Sequence, residues 1–325
     1  MSLKVVTFNA STLKDLRNTV HRLKTANDRQ IQDLVTSLQD AEDGVLAQQY
    51  STLSGAYIRQ LLTHEPDVIC LQELLPTEHE QDALRDILKK NGYTIVTQKD
   101  TAIAYRQASL RPTGTGEGYH GHTDQGAYYA DLQTPEGVVV RVVSDHPDFG
   151  LGGADALRAN LVALDPDAPL PPPSLWKRIY NKILGRSLPQ SVIIYGLDAN
   201  ASMPNTNPKE NIQPERLEVF GARSYTRVQS NDHTFIYHNP HNDERLPGTL
   251  DHIFFKVIGG PQATARVIRD PAINDFRLLK EDTVKVLPAS DHLPVMTEIY
   301  FKDTWSHIFR DAFQHMSSVF GRTRS

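Results

Sequence analysis

The chain has 325 residues, 39% apolar and 22% charged, which is enough to build one large core or two ordinary ones and excludes wholesale disorder. A net charge of -5 does not mark a bulk nucleic-acid binder, although a local groove can still be basic. The single cysteine, Cys70, rules out an intramolecular disulfide, and its apolar surroundings predict a buried thiol.

Strand-length apolar and β-branched runs occur at 3–8, 68–71, 93–97, 101–105, 127–132, 138–143, 192–195, 234–237, 251–257 and 295–301. Lys99-Asp100 reads as a hairpin turn. Thr134-Pro135-Glu136-Gly137 reads as a type I turn, with Pro at its second position and Gly at its fourth. Thr77-Glu78-His79-Glu80 is a capping-box pattern that opens a helix, and Asn91-Gly92 supplies its stop. A second helix is expected over 153–164. Residues 12–62 read as a long helical insert with three apolar stripes, and Gly114–His122 as a flexible loop on the substrate side.

The pattern predicts a catalytic domain over 1–302 and a separate tail over 303–325. Within the domain, the proline-rich run Asp165–Pro173 leads into an amphipathic segment around Trp176, so that 165–188 reads as an addition. That segment carries Lys177, Arg178, Lys182 and Arg186, and the tail repeats an apolar stripe from Trp305 to Phe320. Contact of 174–186 and 303–325 with anionic membrane is one expectation for these stripes, and packing on the domain is the other. The N-terminus has no leader pattern, and no run reaches the ~20 apolar residues of a spanning helix. Cytoplasmic residence or leaderless export is therefore expected, and a monomer is the expected state.

Polar residues of catalytic type recur where strands end: Asn9, Gln72 and Glu73, Asp145 and His146, Asp198 and Asn200, Asp251, and Asp291 with His292. Hard oxygens of this kind hold Mg²⁺, amide and imidazole N–H groups bind phosphate oxygens, and one carboxylate can take a proton from water. Each residue alone has an ordinary explanation as a turn former, a cap or a solvated side chain.

The ordered set is more specific. Thr7-Phe8-Asn9, Pro66-Asp67-Val68-Ile69-Cys70-Leu71-Gln72-Glu73, Asp198-Ala199-Asn200, Leu250-Asp251-His252-Ile253-Phe254-Phe255 and Ser290-Asp291-His292-Leu293-Pro294 together resemble the motifs of the endonuclease/exonuclease/phosphatase superfamily, the DNase I-like fold. The resemblance implies an α/β four-layer sandwich, with two mixed β-sheets face to face and helices outside. It implies a hydrolase of phosphoric esters that uses Mg²⁺ or Mn²⁺, and it also implies roles. Glu73 matches the principal metal ligand, with Asn9 and Asp291 beside it. Asp198 matches the carboxylate that orients or deprotonates water, and Asn200 an amide on a phosphate oxygen. Asp251 and His292 match an acid–imidazole pair. Asn9, Asn200 and Arg158 are the substrate-binding candidates. His146, rather than His120 or His122, is expected in the metal-side cleft.

There are departures. Gly196 stands one residue earlier than the family's glycine, and no role is assigned to it. His146 lies in Ser144-Asp145-His146 rather than Thr-His-Leu, and Leu161 replaces the glutamine that often follows the Arg158 position. The substrate class is expected to be a nucleic acid or a phosphorylated lipid or inositol. A nuclease-like phosphodiesterase is the first reading, a membrane phosphoinositide or phospholipid phosphoesterase the second, and a catalytically silent binding or effector module on the same fold the third.

Overall fold

The computed structural model describes residues 1–10, 58–74, 78–98, 100–117, 127–147, 153–165, 191–199, 215–228, 234–238, 245–259, 263–269 and 292–301. Of the insert expected at 12–62 and the addition expected at 165–188, residues 12–57 and 166–188 lie outside these residues, as do the tail 303–325 and His120, His122, Asn200 and Asp291.

Among the described residues fourteen strands run in chain order: β1 Ser2–Asn9, β2 Val68–Gln72, β3 Tyr93–Gln98, β4 Thr101–Arg106, β5 Arg111–Glu117, β6 Ala127–Gln133, β7 Val139–Asp145, β8 Ser191–Asp198, β9 Thr226–Arg227, β10 Phe235–His238, β11 Arg245–Gly248, β12 Asp251–Ile258, β13 Ala263–Ile268 and β14 Val295–Phe301. Three helices with both ends among the described residues join them, α1 Glu78–Lys90, α2 Gly153–Leu164 and α3 Glu215–Gly221, and residues 58–62 are helical as well. The first six-stranded sheet has the order β13-β14-β1-β2-β4-β3, and the second β5-β6-β7-β8-β12-β9. Both are mixed, because β1 runs parallel to β2 and β7 parallel to β8 while the other neighbours are antiparallel. β10 and β11 form a separate antiparallel ribbon. Among the described residues no helix is long and apolar enough to cross a membrane.

Period-two alternation sorts these strands into layers. Val5, Val68, Cys70 and Ile103 of the first sheet meet Val140, Val142, Val192, Ile194 and Ile253 of the second in the central core. The opposite face of the first sheet, with Val6, Phe8, Ile69 and Leu71, packs on Leu84 and Leu88 of α1 and on Ile58, Leu61 and Leu62. The opposite face of the second, with Val143, Ile193, Tyr195 and Leu197, packs on Leu157 and Leu161 of α2 and Leu217 and Phe220 of α3. The result is a four-layer α/β sandwich of two mixed sheets with helices outside.

All ten expected strands are present, with no end shifted by more than three residues. β5 corrects the reading of its stretch as part of a flexible loop. Arg111–Glu117 pairs with β6 along its length, with a register shift between Pro112 and Gly114. Its glycines and proline hide the strand signal, and they are tolerated because β5 is an edge strand that has one partner. The β13 edge, largely exposed, and the short β9 and β11 were also not legible.

Gly196 has a packing role. A Cβ there would stand 2.6 Å from Cys70 Cβ and 2.8 Å from its Sγ, with Thr7 Cβ at 3.1 Å. The two sheets approach closely at this point, so the position requires glycine.

Candidate active site

The alternation that builds the central core also delivers the polar residues. On β1, Val5, Thr7 and Asn9 share the inward face; on β8, Val192, Ile194, Gly196 and Asp198 do the same. Both strands therefore end by placing a polar side chain between the sheets. β12 runs antiparallel to β8 with Asp251 paired to Asp198, so its first residue arrives where β8 ends. β14 runs antiparallel to β1 with Thr7 paired to Val295, so His292, just before it, reaches the same end.

A buried polar layer ties the sheets together beneath the site. Thr7 Oγ1 donates to Gln72 Oε1 at 3.3 Å. Gln72 Nε2 donates to Ser144 Oγ at 3.1 Å and to the Gly196 carbonyl at 3.2 Å, and Ser144 Oγ donates to the Leu71 carbonyl at 2.9 Å. Partners of this kind lock the Gln72 rotamer and fix where the next residue, Glu73, begins. Glu73 itself adopts φ 55°, a left-handed conformation that a non-glycine residue holds at a cost of roughly 1–3 kcal/mol.

Above that layer, Asn9 Nδ2 donates to Glu73 Oε1 at 3.0 Å and to Asp198 Oδ2 at 2.9 Å. His146 Nε2 lies 3.5 Å from Glu73 Oε1 and 3.9 Å from Asp198 Oδ2. His292 Nε2 approaches the same Asp198 oxygen at 3.8 Å. Each imidazole is held from behind: His146 Nδ1 by Asp100 Oδ2 and His292 Nδ1 by Asp251 Oδ2, both at 2.8 Å. Such a hydrogen bond fixes the ring's orientation and leaves Nε2 facing the cleft.

Burial alone would discourage the charged form of His146. The bond to Asp100 and the charges of Asp198, Glu73 and Asp100 outweigh it and raise the imidazole to about 9. Asp251 is pushed upward by burial, against the pull of His292.

The structure brings Asn9, Glu73, His146, Asp198, Asp251 and His292 into one cluster. Arg158 is elsewhere: it is exposed on α2, pairs with Asp155 at 2.6 Å, and makes no hydrogen bond or ion pair to the cluster. From the same helix it is Asn160 that reaches strand β7, donating to Asp145 Oδ2 at 3.1 Å. Asp145 faces the helical layer, so Ser144-Asp145-His146 does not act as a triad. In the sequence Asp100 reads only as a turn residue; aspartate is so common in turns that no sequence signal separates this one. Arg216, the largest fully buried side chain among the described residues, belongs to none of the sequence motifs either, and its Nη1 donates to the Ala199 carbonyl at 3.1 Å behind Asp198.

The donor set fits a hard divalent cation. Glu73, Asp198 and His146 offer ligand atoms within 4.8 Å of one another, and so do Asp198, Asp251 and His292. The only thiol, Cys70, is buried in the central core with its Sγ 3.7 Å from the Val143 carbonyl. Carboxylate-rich sites without thiolate suit Mg²⁺ or Mn²⁺.

The family model described as the endonuclease/exonuclease/phosphatase family matches residues 24–292. The chain belongs to that family. It is accordingly a hydrolase of phosphoric esters. Solved structures agree on the fold. ANGEL2, described as a 2',3'-cyclic phosphatase, in complex with adenosine-2',3'-vanadate, is similar with a TM-score of 0.60 at 14% identity, covering 92% of this chain and 95% of that one. D. rerio TDP2 with a single-strand DNA product has a TM-score of 0.53 at 15% identity, covering 92% and 99%. The human Nocturnin catalytic domain with bound sulfate has a TM-score of 0.52 at 15% identity, covering 93% and 94%. No curated protein sequence matches the chain.

Proposed function

We propose that this family member is a Mg²⁺- or Mn²⁺-dependent phosphodiesterase of nuclease type, acting on a nucleotide-containing phosphoester. One observation carries the reading. Two imidazoles, each backed by a carboxylate at 2.8 Å, turn their Nε2 atoms toward one oxygen of Asp198, and the Asn9 amide links that oxygen to Glu73. The substrate class draws support from the single-strand DNA product and the adenosine vanadate bound in the TDP2 and ANGEL2 structures.

Glu73 and Asn9 would hold the cation, with Asp291 completing the set. A divalent cation at such a site supplies Lewis acidity that offsets negative charge on the phosphate. Asp198 takes the proton from the attacking water, for which it is placed between the two imidazoles. His292, fixed by Asp251, presents its Nε2 hydrogen to a phosphate oxygen and stabilises the charge that develops in the transition state. His146, fixed by Asp100, does the same from the Glu73 side. Asn200 donates to another phosphate oxygen. Proton transfer of this kind contributes roughly 10²–10⁴ in rate.

The test is hydrolysis of bis-p-nitrophenyl phosphate, then of single-stranded DNA, RNA and cyclic nucleotides, with Mg²⁺ and with EDTA. Full activity in EDTA sinks the metal requirement, and turnover of phosphoinositides but not of nucleotides sinks the substrate class.

A further inference from the structure

The pair Asp251–His292 is assembled from both sheets. Asp251 opens β12 in one, and His292 precedes β14 in the other. Nothing in either sheet's ladder fixes the 2.8 Å bond between them, so some other group must hold the two segments in register. Thr234 touches both. Thr234, which precedes β10 and is 2% exposed, accepts at its Oγ1 from the Leu250 amide at 3.0 Å and the Asp251 amide at 3.1 Å. Its carbonyl accepts from the Leu293 amide at 2.6 Å. Its side chain therefore holds the acid's segment and its main chain holds the imidazole's.

We propose that Thr234 is a positioning residue for catalysis, which sets the separation of Asp251 and His292 by clamping the segment on either side of their hydrogen bond. Two further observations point the same way. Asp251 Oδ1 is buried without a hydrogen-bond partner of ordinary length, and the Thr234 hydroxyl is a neighbouring donor that favours its ionised form. The Leu250 carbonyl on the clamped segment accepts from the Ala199 amide at 2.9 Å, so the clamp continues to the residue after Asp198. A hydroxyl that accepts two amides is needed here. Valine fills the same space and leaves both N–H groups unmet, whereas serine keeps the oxygen.

This inference rests on the proposed role of His292, and the experiment separates the two. Thr234→Val, Thr234→Ser and His292→Ala are compared in the full chain with bis-p-nitrophenyl phosphate and Mg²⁺, alongside thermal unfolding. Thr234→Val is expected to fold, to lose about 10²-fold in kcat, as a misplacement near 1 Å costs, and to change KM little; Thr234→Ser is expected to restore kcat. In proton NMR, the low-field Nδ1 resonance that His292→Ala abolishes should shift or broaden in Thr234→Val and persist in Thr234→Ser. If Thr234→Val does not fold, Thr234→Ala takes its place with the same readouts. A folded Val or Ala variant with wild-type kcat and an unmoved resonance overturns the proposal, as does a folded Ser variant that has lost kcat. If His292→Ala retains full activity, the role of His292 fails instead, and the NMR comparison still decides whether Thr234 sets the geometry of the pair.

Discussion

Asp100 and His146 meet across the two sheets: the acid comes from the turn between β3 and β4 in one sheet, the imidazole from the end of β7 in the other, and a 2.8 Å hydrogen bond joins them. Asp251 and His292 repeat the arrangement with the sheets exchanged, at the same 2.8 Å. Each sheet therefore contributes one acid and one imidazole, and any slip between the sheets disturbs both pairs together. That accounts for the dense bonding of Gln72 directly below.

Asp100→Asn should cost nearly as much activity as His146→Ala, and the double variant should be little worse than the worse single one, because groups acting as a unit are non-additive. Multiplicative losses would separate the two residues. A second readout uses stability in EDTA. His146 is raised from 6.5 to about 9 in the folded state, so the stability it contributes is complete below 6.5 and is lost as pH rises through about 9. Asp100→Asn removes much of that contribution, so the gap between wild type and variant should shrink across this window. A gap independent of pH would show that Asp100 does not hold the charged imidazole.

How much of this was legible in the sequence follows from periodicity. Strands with two buried faces or clean alternation, such as β1, β7 and β8, announce themselves, and their ends carry Asn9, Asp145-His146 and Asp198. Edge strands do not: β5 has glycines and a proline, and β13 is largely exposed. Long-range partners are hidden for a different reason. Asp100 stands 46 residues from His146, and nothing local distinguishes it from any other turn aspartate. Thr234 and Arg216 act through bonds to backbone groups, which leave no mark in side-chain patterns.

Glu73 gives a second prediction. Its φ of 55° lies in the left-handed region that glycine adopts more readily than glutamate, so strain and function oppose each other at this residue. Glu73→Ala removes the carboxylate but keeps the strain; Glu73→Gly removes both. Both variants should fold and lose metal-dependent hydrolysis, and the Gly variant should be more stable than the Ala variant by about 1 kcal/mol. Urea unfolding compares them directly. Equal stability would mean that the backbone relaxes at this residue once the carboxylate is gone.

Gly196 gives a third. The Cβ of Gly196→Ala would stand 2.6 Å from Cys70 Cβ and 2.8 Å from its Sγ, so the sheets must part. Overpacking of this kind costs about 1–3 kcal/mol. Cys70→Ala in the same chain should recover only part of the loss, because it removes the sulfur and leaves the closer Cβ; Cys70→Gly should recover more of the clash. A Gly196→Ala variant as stable as wild type would show that the seam has slack, and the reason for glycine would have to lie elsewhere.

Asp145 gives the last. Its carboxyl is buried between β7 and α2, with one oxygen bonded to Asn160 at 3.1 Å and the other, Oδ1, without a partner. Burial raises it from 3.8 to about 7, against the opposing help of the Asn160 amide and the His146 charge. The folded state therefore binds this proton more tightly than the unfolded state does. Stability from this group is complete below 3.8, falls as pH rises from 3.8 through about 7, and is level above that. Asp145→Asn keeps the shape and an oxygen for Asn160 but cannot ionise. Relative to wild type, the variant should therefore gain stability as pH rises, with the larger advantage at about pH 8 and the smaller at about pH 5. Denaturant unfolding at the two values measures the difference. A constant offset between the proteins would mean that Asp145 titrates alike folded and unfolded, so that burial does not penalise its charge.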